Sequence, residues 1–233
     1  MNPVREPEPG ALKILFIGNS YTYYNDFPAM LEYCVDDIDE YPPLFVEAVV
    51  MGGASLKNLW DEGIALQTIR ERDWDFVVLQ EGTAVPFVEP EMMDEYIRKF
   101  DDEIEKEGAA TLLFLTWANQ NSPEMQVMLD TAYFSIADVI DADVVPAGPA
   151  WQRALSLNPL IQLYALDTAH PGKRGTFLNV CVFYAYLYDK KPEGFPRSLT
   201  TGAGYSQYVT EEESEFLGQV AWDTVQEYIA ASQ

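Results

Sequence analysis

The sequence predicts an α/β fold, namely a three-layer α/β/α sandwich around a central parallel sheet of about five strands. The first observation is that short apolar runs alternate along the chain with longer stretches whose apolar residues recur at helical spacing. The second is that the short runs are apolar throughout rather than at every other position, which is typical of parallel strands covered on both faces. Repeated strand–helix units of this kind pack as helices on either side of one sheet.

Five apolar runs are predicted as strands because they are short and rich in Val, Ile, Leu and Phe. In chain order they are Lys13–Ile17, Phe45–Met51, Phe76–Leu79, Thr111–Thr116 and Val144–Val145. Ligand sites of such sheets lie beyond the carboxyl ends of the strands, so the polar residues that directly follow these runs are the candidates for a site.

The stretches with helical spacing are predicted as helices, and some carry signals for their ends. Pro90 stands in the first turn of one helix, and Gly108 follows its last residue. Thr210 and Glu213 form the pattern of a capping box at the start of another. The predicted helices are Phe27–Ile38, Leu56–Arg72 (two short helices or one interrupted near Gly63), Pro90–Glu107, a helix opened by Ser122 and Pro123 that ends near Ile140, Gly172–Tyr188 and a C-terminal helix from Thr210.

No linker divides this series, so residues 12–233 are predicted as a single domain and the polar, proline-rich residues 1–11 as a flexible lead-in. The longest apolar stretch, near Ala109–Ala118, is too short to cross a bilayer. Residues 1–10 lack the apolar core of a signal peptide, which predicts a cytoplasmic protein as the sequence stands. The alternative is a secreted form whose leader has been removed.

The chain is strongly acidic, with 14 Lys and Arg residues against 38 Asp and Glu residues and a formal net charge of -24. This charge disfavours nucleic acid and anionic membranes as partners, because both are negatively charged as well. It also disfavours polyanionic substrates. A solvated acidic surface is expected, with adaptation to high salt as the alternative, and the oligomeric state stays open.

Cysteine and histidine usage argues against a metal site. Cys34 and Cys181 both lie in apolar stretches of predicted helices, so two buried free thiols are expected. The sequence has one histidine and no metal-binding pattern such as CxxC or HExxH. No metal site is therefore expected.

The one histidine, His170, lies three residues after Asp167. A carboxylate bonded to one ring nitrogen fixes the tautomer and aims the other nitrogen at a partner. Ser20 is the candidate partner, because it follows the first predicted strand at a turn into a helix, where a nucleophile becomes exposed. These three residues are predicted as nucleophile, base and orienting acid. The alternatives are a helix-capping serine and a structural histidine.

Two further residues directly follow predicted strands: Gly53 after the second and Gln80 after the third. An acyl-transfer site needs hydrogen-bond donors for the negatively charged oxygen of its intermediate. The backbone N–H groups of Ser20 and Gly53 and the side-chain amide of Gln80 are predicted as these donors. The alternatives are an ordinary turn glycine and an ordinary polar strand end.

Three more residues near the same edge are candidates for the substrate pocket: Asn19, Glu81 and Trp117. For Glu81 the alternative is a salt-bridged or solvated carboxylate. For Trp117 the alternative is packing in the core.

These motifs resemble those of the SGNH (GDSL-like) hydrolase family: a serine after strand one, a glycine after strand two, an amide residue after strand three and a C-terminal Asp-x-x-His. The resemblance extends from Ile14 through the helix after His170. Asn19 stands where the family has an acidic residue, Tyr21 where it has leucine, and Gln80 where it has asparagine. With its GNSYT, LQEG and DTAHP motifs, the chain resembles a little-characterised branch of the family.

The resemblance implies an SGNH-hydrolase or flavodoxin-like α/β fold and a serine ester hydrolase that forms an acyl-enzyme without a cofactor. The expected substrate is a short-acyl (acetyl) ester of a carbohydrate or a similar small ester. One alternative is a non-catalytic or weakly active carbohydrate-binding protein on the same fold, which the uncommon Gln80 motivates. The other is a lipid acyl hydrolase or thioesterase, against which the acidic surface and the lack of an apolar lid segment count.

Overall fold

The chain folds around a parallel sheet of five strands. The computed structural model describes residues 5–40 and 42–231. The strands are β1 (Leu12–Gly18), β2 (Leu44–Val50), β3 (Phe76–Leu79), β4 (Ala110–Phe114) and β5 (Asp143–Val145). Their order across the sheet is β2-β1-β3-β4-β5, and every neighbouring pair is parallel. The predicted fold class is confirmed, and each predicted apolar run overlaps one strand.

Helices connect the strands. In the described part of the chain they are α1 (Ser20–Tyr23), α2 (Phe27–Asp37), α3 (Leu56–Glu62), α4 (Ile64–Glu71), α5 (Val85–Val88), α6 (Pro90–Lys106), α7 (Gln126–Ile140), α8 (Ala147–Leu157), α9 (Lys173–Tyr188) and α10 (Glu211–Ala231). The predicted interruption near Gly63 is present. This residue has a φ of 82°, a left-handed conformation that glycine adopts without strain, and it separates α3 from α4.

The helices cover both faces of the sheet. Alternate residues of β1 face opposite sides, as strand geometry requires. Ile14 and Phe16 pack in one hydrophobic core with α2, α8, α9 and α10. Leu15 and Ile17 pack in a second core with α3, α4, α6 and α7. The molecule therefore has the three predicted layers.

Some elements were not predicted. They are α1, α5, α8 and an antiparallel hairpin of β6 (Ser198–Thr200) and β7 (Ser206–Tyr208). The helix α8 begins just after β5 in the sequence, and no side chain caps its first turn, so the usual signal for a helix start is missing. The hairpin strands have three residues each, too few for a clear alternating pattern.

The first residues after the undescribed segment lie against the domain. The predicted lead-in covers residues 1–11, of which 1–4 lie outside the described residues. The Arg5 guanidinium pairs with the Glu32 carboxylate at 2.7 Å and donates to the Val46 carbonyl at 2.9 Å. Cys34 and Cys181 are buried free thiols, as predicted. Within residues 5–40 and 42–231, no helix has the length and apolar character needed to cross a bilayer.

Candidate active site

The candidate site lies where the strand order of the sheet reverses. The chain runs from β1 outward to β2 and then returns to place β3 on the other side of β1. At such a switch point the loops after the two central strands diverge and leave a crevice beyond their carboxyl ends. A cleft of about 540 Å³ is present here, and Ser20, Gly53, Gly82 and His170 all line it. We call it the Ser20 cleft.

Ser20 is the first residue of α1, and Asn19 alone separates it from the end of β1. The Asn19 side chain caps this one-turn helix by accepting a hydrogen bond from the Tyr21 N–H at 3.0 Å. Its amide nitrogen donates to the Ala54 carbonyl at 2.9 Å, which ties the serine turn to the loop after β2. Asn19 lines the cleft, although only 3% of it is exposed, and its place in a substrate pocket stays a prediction.

The structure brings Ser20, His170 and Asp167 together. The Ser20 Oγ lies 2.8 Å from the His170 Nε2, and the His170 Nδ1 lies 2.6 Å from the Asp167 Oδ2. The Asp167 Oδ1 accepts hydrogen bonds from the backbone N–H groups of Ala169 and His170. Burial raises the pKa of Asp167, but the hydrogen bonds from the His170 ring and from these two N–H groups outweigh it, so the net pKa lies below the ordinary value. The carboxylate is thus ionised beside the imidazole.

The loop that carries His170 is held by backbone and side-chain hydrogen bonds. Thr168 has a φ of 65°, and its carbonyl accepts from the Gln120 N–H at 2.9 Å. The His170 carbonyl accepts from the Ala165 N–H at 2.8 Å. The indole N–H of Trp117 donates to the Ala169 carbonyl at 2.9 Å. His170 therefore sits on a loop with a defined path.

The prediction that Trp117 walls the substrate pocket is wrong. Trp117 is fully buried and stacks on Trp151, with ring centroids 3.9 Å apart and ring planes 2° from parallel. It supports the His170 loop from beneath and is not in contact with the cleft. Trp117 directly follows the apolar run Thr111–Thr116 that predicted the fourth strand, and it is buried like the residues of that run. Its side chain therefore packs in the core, which was the alternative to a place in the pocket.

The prediction that the Gln80 amide donates to an oxyanion is also wrong. Gln80 is 1% exposed, and its Nε2 donates to the Glu81 carbonyl. Its Oε1 accepts from the Asn19 N–H and from the Thr22 hydroxyl, each at 2.9 Å. The side chain therefore points beneath the serine turn and fixes its path.

Glu81 lies behind the wall of the cleft and not on its surface, so its predicted place in the substrate pocket is corrected. It is 1% exposed. Its Oε1 accepts from the Leu56 N–H at 3.1 Å and from the Gly82 N–H, which joins the loops after β2 and β3. Its Oε2 is buried and has no hydrogen-bond partner among the described residues. Burial raises the pKa of Glu81 to about 7, and the two N–H donors offset this only in part.

We expect Glu81→Gln to flatten the pH dependence of the free energy of unfolding. The ordinary pKa is 4.5 and the value in the folded chain is about 7, so between these pH values unfolding releases a proton. Stability then falls as the pH rises, and the penalty is complete above about pH 7. A difference of one pH unit between the folded and unfolded pKa corresponds to about 1.4 kcal/mol. The free energy of unfolding is therefore lowered by at most roughly 3 kcal/mol.

Urea unfolding at about pH 5 and about pH 8 measures this effect. The wild type should lose stability relative to Glu81→Gln between the two pH values. Glu62→Gln, which removes an exposed carboxylate, should not change the wild-type pH dependence. An equal stability difference between wild type and Glu81→Gln at both pH values would contradict the assignment.

Two residues that line the cleft have backbone N–H groups without a hydrogen-bond partner in the described part of the chain. Among the described residues, neither the Ser20 nor the Gly53 N–H donates a hydrogen bond. Gly53 has a φ of 69°, a conformation that residues with a Cβ rarely adopt. Both residues line the Ser20 cleft, so their N–H groups are available to a substrate oxygen. Their predicted role in an oxyanion hole stays a prediction.

Some residues around the site were missed from the sequence. Lys57, Asn58 and Glu89 line the cleft from helices α3 and the start of α6, and Tyr24 stacks on the His170 ring. In the sequence, the GNSYT motif is followed by Tyr-Tyr-Asn. These two aromatic residues close behind the candidate nucleophile were the signal from which a contact of Tyr24 with the site could have been predicted.

A larger cavity, of about 870 Å³, lies at the opposite edge of the sheet. Phe76 and Asp143, the first residues of β3 and β5, line it together with residues of α7 and α10. It contains none of the predicted site residues. Over the described ranges, no group of three His, Cys, Asp or Glu side chains is placed to hold a metal ion.

Solved structures share this fold. The sequence matches no family model and no curated protein. A putative SGNH hydrolase from Slackia heliotrinireducens is 22% identical, with a TM-score of 0.64, 74% of this chain covered and 97% of the other. A DUF4886 family protein from Bacteroides uniformis is 14% identical, with a TM-score of 0.74 and coverages of 93% and 95%.

A third structure is a mutant of an acetyl-xylooligosaccharide esterase from Geobacillus. It is 18% identical to this chain, with a TM-score of 0.56 and coverages of 75% and 94%. These likenesses cover nearly the whole of each solved structure and about three quarters or more of this chain, and the proteins differ widely in sequence. The resemblance inferred from the motifs is confirmed for the fold: the chain has the fold of the SGNH (GDSL-like) hydrolases.

Proposed function

We propose that the protein is a serine ester hydrolase. The observation that carries the proposal is the continuous hydrogen-bonded series from the Ser20 hydroxyl through the His170 ring to the Asp167 carboxylate. It joins residues 150 positions apart in the sequence at an open cleft. Such a series is what a serine nucleophile requires for activation.

In the proposed reaction the Ser20 Oγ attacks the ester carbonyl carbon while its proton passes to the His170 Nε2. The N–H groups of Ser20 and Gly53 stabilise the negative charge on the carbonyl oxygen. The His170 imidazolium then gives the proton to the leaving alcohol, and an acyl-Ser20 ester remains. Water repeats the sequence: His170 accepts a water proton, the hydroxide part bonds to the acyl carbon, and Ser20 recovers its proton as the acid leaves.

We propose a short-acyl ester of a carbohydrate, or a similar small ester, as the substrate. The polar side chains of Asn58 and Glu89 line the Ser20 cleft and suit a polyhydroxylated leaving group. The cleft is open to solvent and not enclosed, which favours a short acyl group over a long fatty acyl chain. The esterase from Geobacillus, on the same fold, is named for acetylated xylooligosaccharides.

A panel of p-nitrophenyl esters of increasing acyl length, together with acetylated xylooligosaccharides, tests this proposal. We expect the highest kcat/KM with acetyl esters and a steady loss with longer chains. A preference for long acyl chains would favour a lipid acyl hydrolase, and a preference for acyl thioesters would favour a thioesterase. A fluorophosphonate should label Ser20 alone, as mass spectrometry of the digested protein would show.

The second candidate is a non-catalytic or weakly active carbohydrate-binding protein on this fold. The observation that favours it is that the Gln80 amide is committed beneath the serine turn, which leaves the site without a side-chain donor at that position. This candidate predicts binding of an acetylated sugar without hydrolysis and no labelling of Ser20 by a fluorophosphonate.

A further inference from the structure

We propose that Tyr24 is a positioning residue for the His170 base: its ring face fixes the plane of the imidazole and stabilises the imidazolium that forms during acyl transfer. This inference rests on the proposed function, because the imidazolium arises only when Ser20 gives its proton to His170. Neither the motif comparison nor the predicted triad assigns a role to Tyr24.

The Tyr24 and His170 rings are stacked. Their centroids are 4.6 Å apart, and the ring planes lie 16° from parallel. The Tyr21 ring approaches the same imidazole at 5.4 Å with a tilt of 41°. Asp167 and Ser20 bind the two nitrogens of the imidazole, so these hydrogen bonds leave the ring free to rotate about the line that joins the nitrogens. The Tyr24 ring, stacked on the imidazole face, restrains this rotation.

This restraint matters because the hydrogen-bonded pair of His170 and Asp167 is exposed. The side chains of His170 and Asp167 keep 25% and 46% of their surface exposed. Solvent-exposed pairs contribute little to the ordering of their side chains. The face of an aromatic ring excludes water from one side of the imidazole and does not depend on the hydrogen bond to Asp167.

The backbone holds Tyr24 in this place. Tyr24 is the C-cap residue that follows α1, and the next two residues, Asn25 and Asp26, have φ values of 55° and 57°. Asn and Asp are the residues with a Cβ that adopt this left-handed conformation most readily. The Asn25 Nδ2 donates to the Pro171 carbonyl at 2.8 Å and to the Thr176 hydroxyl at 2.9 Å. The segment with Tyr24 is thus bound to the residue that follows His170.

The stack favours the charged form of the imidazole over the neutral form. The face of an aromatic ring is electronegative and attracts a cation whose centre lies within about 6 Å. The attraction is strongest when His170 carries the proton of Ser20, that is, in the transition state and not with bound substrate alone. An interaction of this kind changes kcat and leaves KM nearly unchanged. Typical cation–π contributions correspond to about a 2- to 30-fold change in rate.

Kinetics of substituted proteins with p-nitrophenyl acetate test the proposal. We expect Tyr24→Leu and Tyr24→Met to lower kcat about 2- to 30-fold with KM within about twofold, and Tyr24→Phe to keep nearly full kcat because it keeps the ring. The control is Tyr33→Leu, which removes an exposed tyrosine of α2. Full kcat in both the Leu and Met variants would overturn the proposal. So would a Tyr24→Phe loss as large as that of Leu, or failure of both Leu and Met variants to fold.

NMR gives a readout that is independent of activity. Because the chain has one histidine, the imidazole Cε1–H resonance belongs to His170 without further assignment. A proton over an aromatic face is shielded, so the resonance should move downfield in Tyr24→Leu and stay in place in Tyr33→Leu. If the wild type hydrolyses no ester, the proposed function fails. The resonance then still tests whether Tyr24 positions the His170 ring. A shift in Tyr24→Leu supports this role, and an unchanged resonance overturns it.

Discussion

Ser20→Ala and His170→Ala should each lower kcat for ester hydrolysis by about 10³-fold or more, and the double substitution should cost little beyond either single one. The reason is that the hydroxyl and the imidazole act in one step: without His170 nothing accepts the Ser20 proton, and without Ser20 the base has no partner. Residues that act as a unit show such non-additive losses. Hydrolysis rates of the two single variants and the double variant with p-nitrophenyl acetate give the measurement.

The control for these variants is Ser156→Ala, which removes an exposed hydroxyl that donates to the Arg153 carbonyl of its own helix. It should leave kcat and the melting temperature unchanged. The melting temperatures of the Ser20 and His170 variants should also stay near the wild-type value, since both side chains line an open cleft. Losses in the double variant that equal the product of the single losses would show that the two residues act separately.

Asp167→Asn extends the same prediction to the orienting acid. The asparagine Oδ1 can still accept from the Ala169 and His170 N–H groups, so the loop should keep its path. Its amide nitrogen, however, would face the His170 Nδ1 and favour the tautomer with the proton on Nε2, which cannot accept from Ser20. A kcat loss of about 10³- to 10⁴-fold with an unchanged melting temperature is expected. Retained activity would show that the carboxylate does not set the tautomer.

The sheet and its site edge were predictable because their signals are local. Each strand is a continuous apolar run, since both faces of the sheet are covered, and the parallel arrangement then places the residues that follow the strands at one edge. Ser20 and Gly53 follow from this rule. Asp167 and His170 come from an irregular loop, so their place at the site rested on the chemistry of their pairing and on the resemblance of motifs.

The directions of individual side chains were not predictable in the same way. Gln80, Glu81 and Trp117 all occur close to strand ends, and position alone suggested that they face a ligand. The structure turns each of them inward, because a loop at this edge carries backbone N–H and carbonyl groups that must be bonded when buried. Gln80 accepts a hydrogen bond from the Asn19 N–H, and Glu81 accepts one from the Leu56 N–H. Trp117 donates to the Ala169 carbonyl. Which polar side chain forms a hydrogen bond with which loop depends on tertiary contacts that a single sequence does not reveal.

Gln80→Met should lower kcat by about 10²-fold and lower the melting temperature as well. Methionine keeps the length of the side chain but accepts no comparable hydrogen bond, so the buried Asn19 N–H and the Thr22 hydroxyl lose their common acceptor. A buried donor left unpaired costs about 1–3 kcal/mol, which corresponds to several degrees in a chain of this size. The Ser20 turn then shifts, and a displacement of about 1 Å at a reacting group is sufficient for a 10²-fold loss.

Comparison with neighbouring variants separates this anchoring role from a direct role at the oxyanion. Thr22→Val removes one of the two bonds to the Gln80 Oε1 and should give a smaller loss of both kcat and stability. Combined with Gln80→Met it should add little, because the two substitutions break the same contact. Gln67→Met, at an exposed position of α4, should change neither quantity. A donor to the oxyanion would instead give a kcat loss with unchanged melting temperature and a silent Thr22→Val. Full kcat in Gln80→Met would contradict both roles, and the path of the Ser20 turn would then be set by the Asn19 cap and its bond to the Ala54 carbonyl.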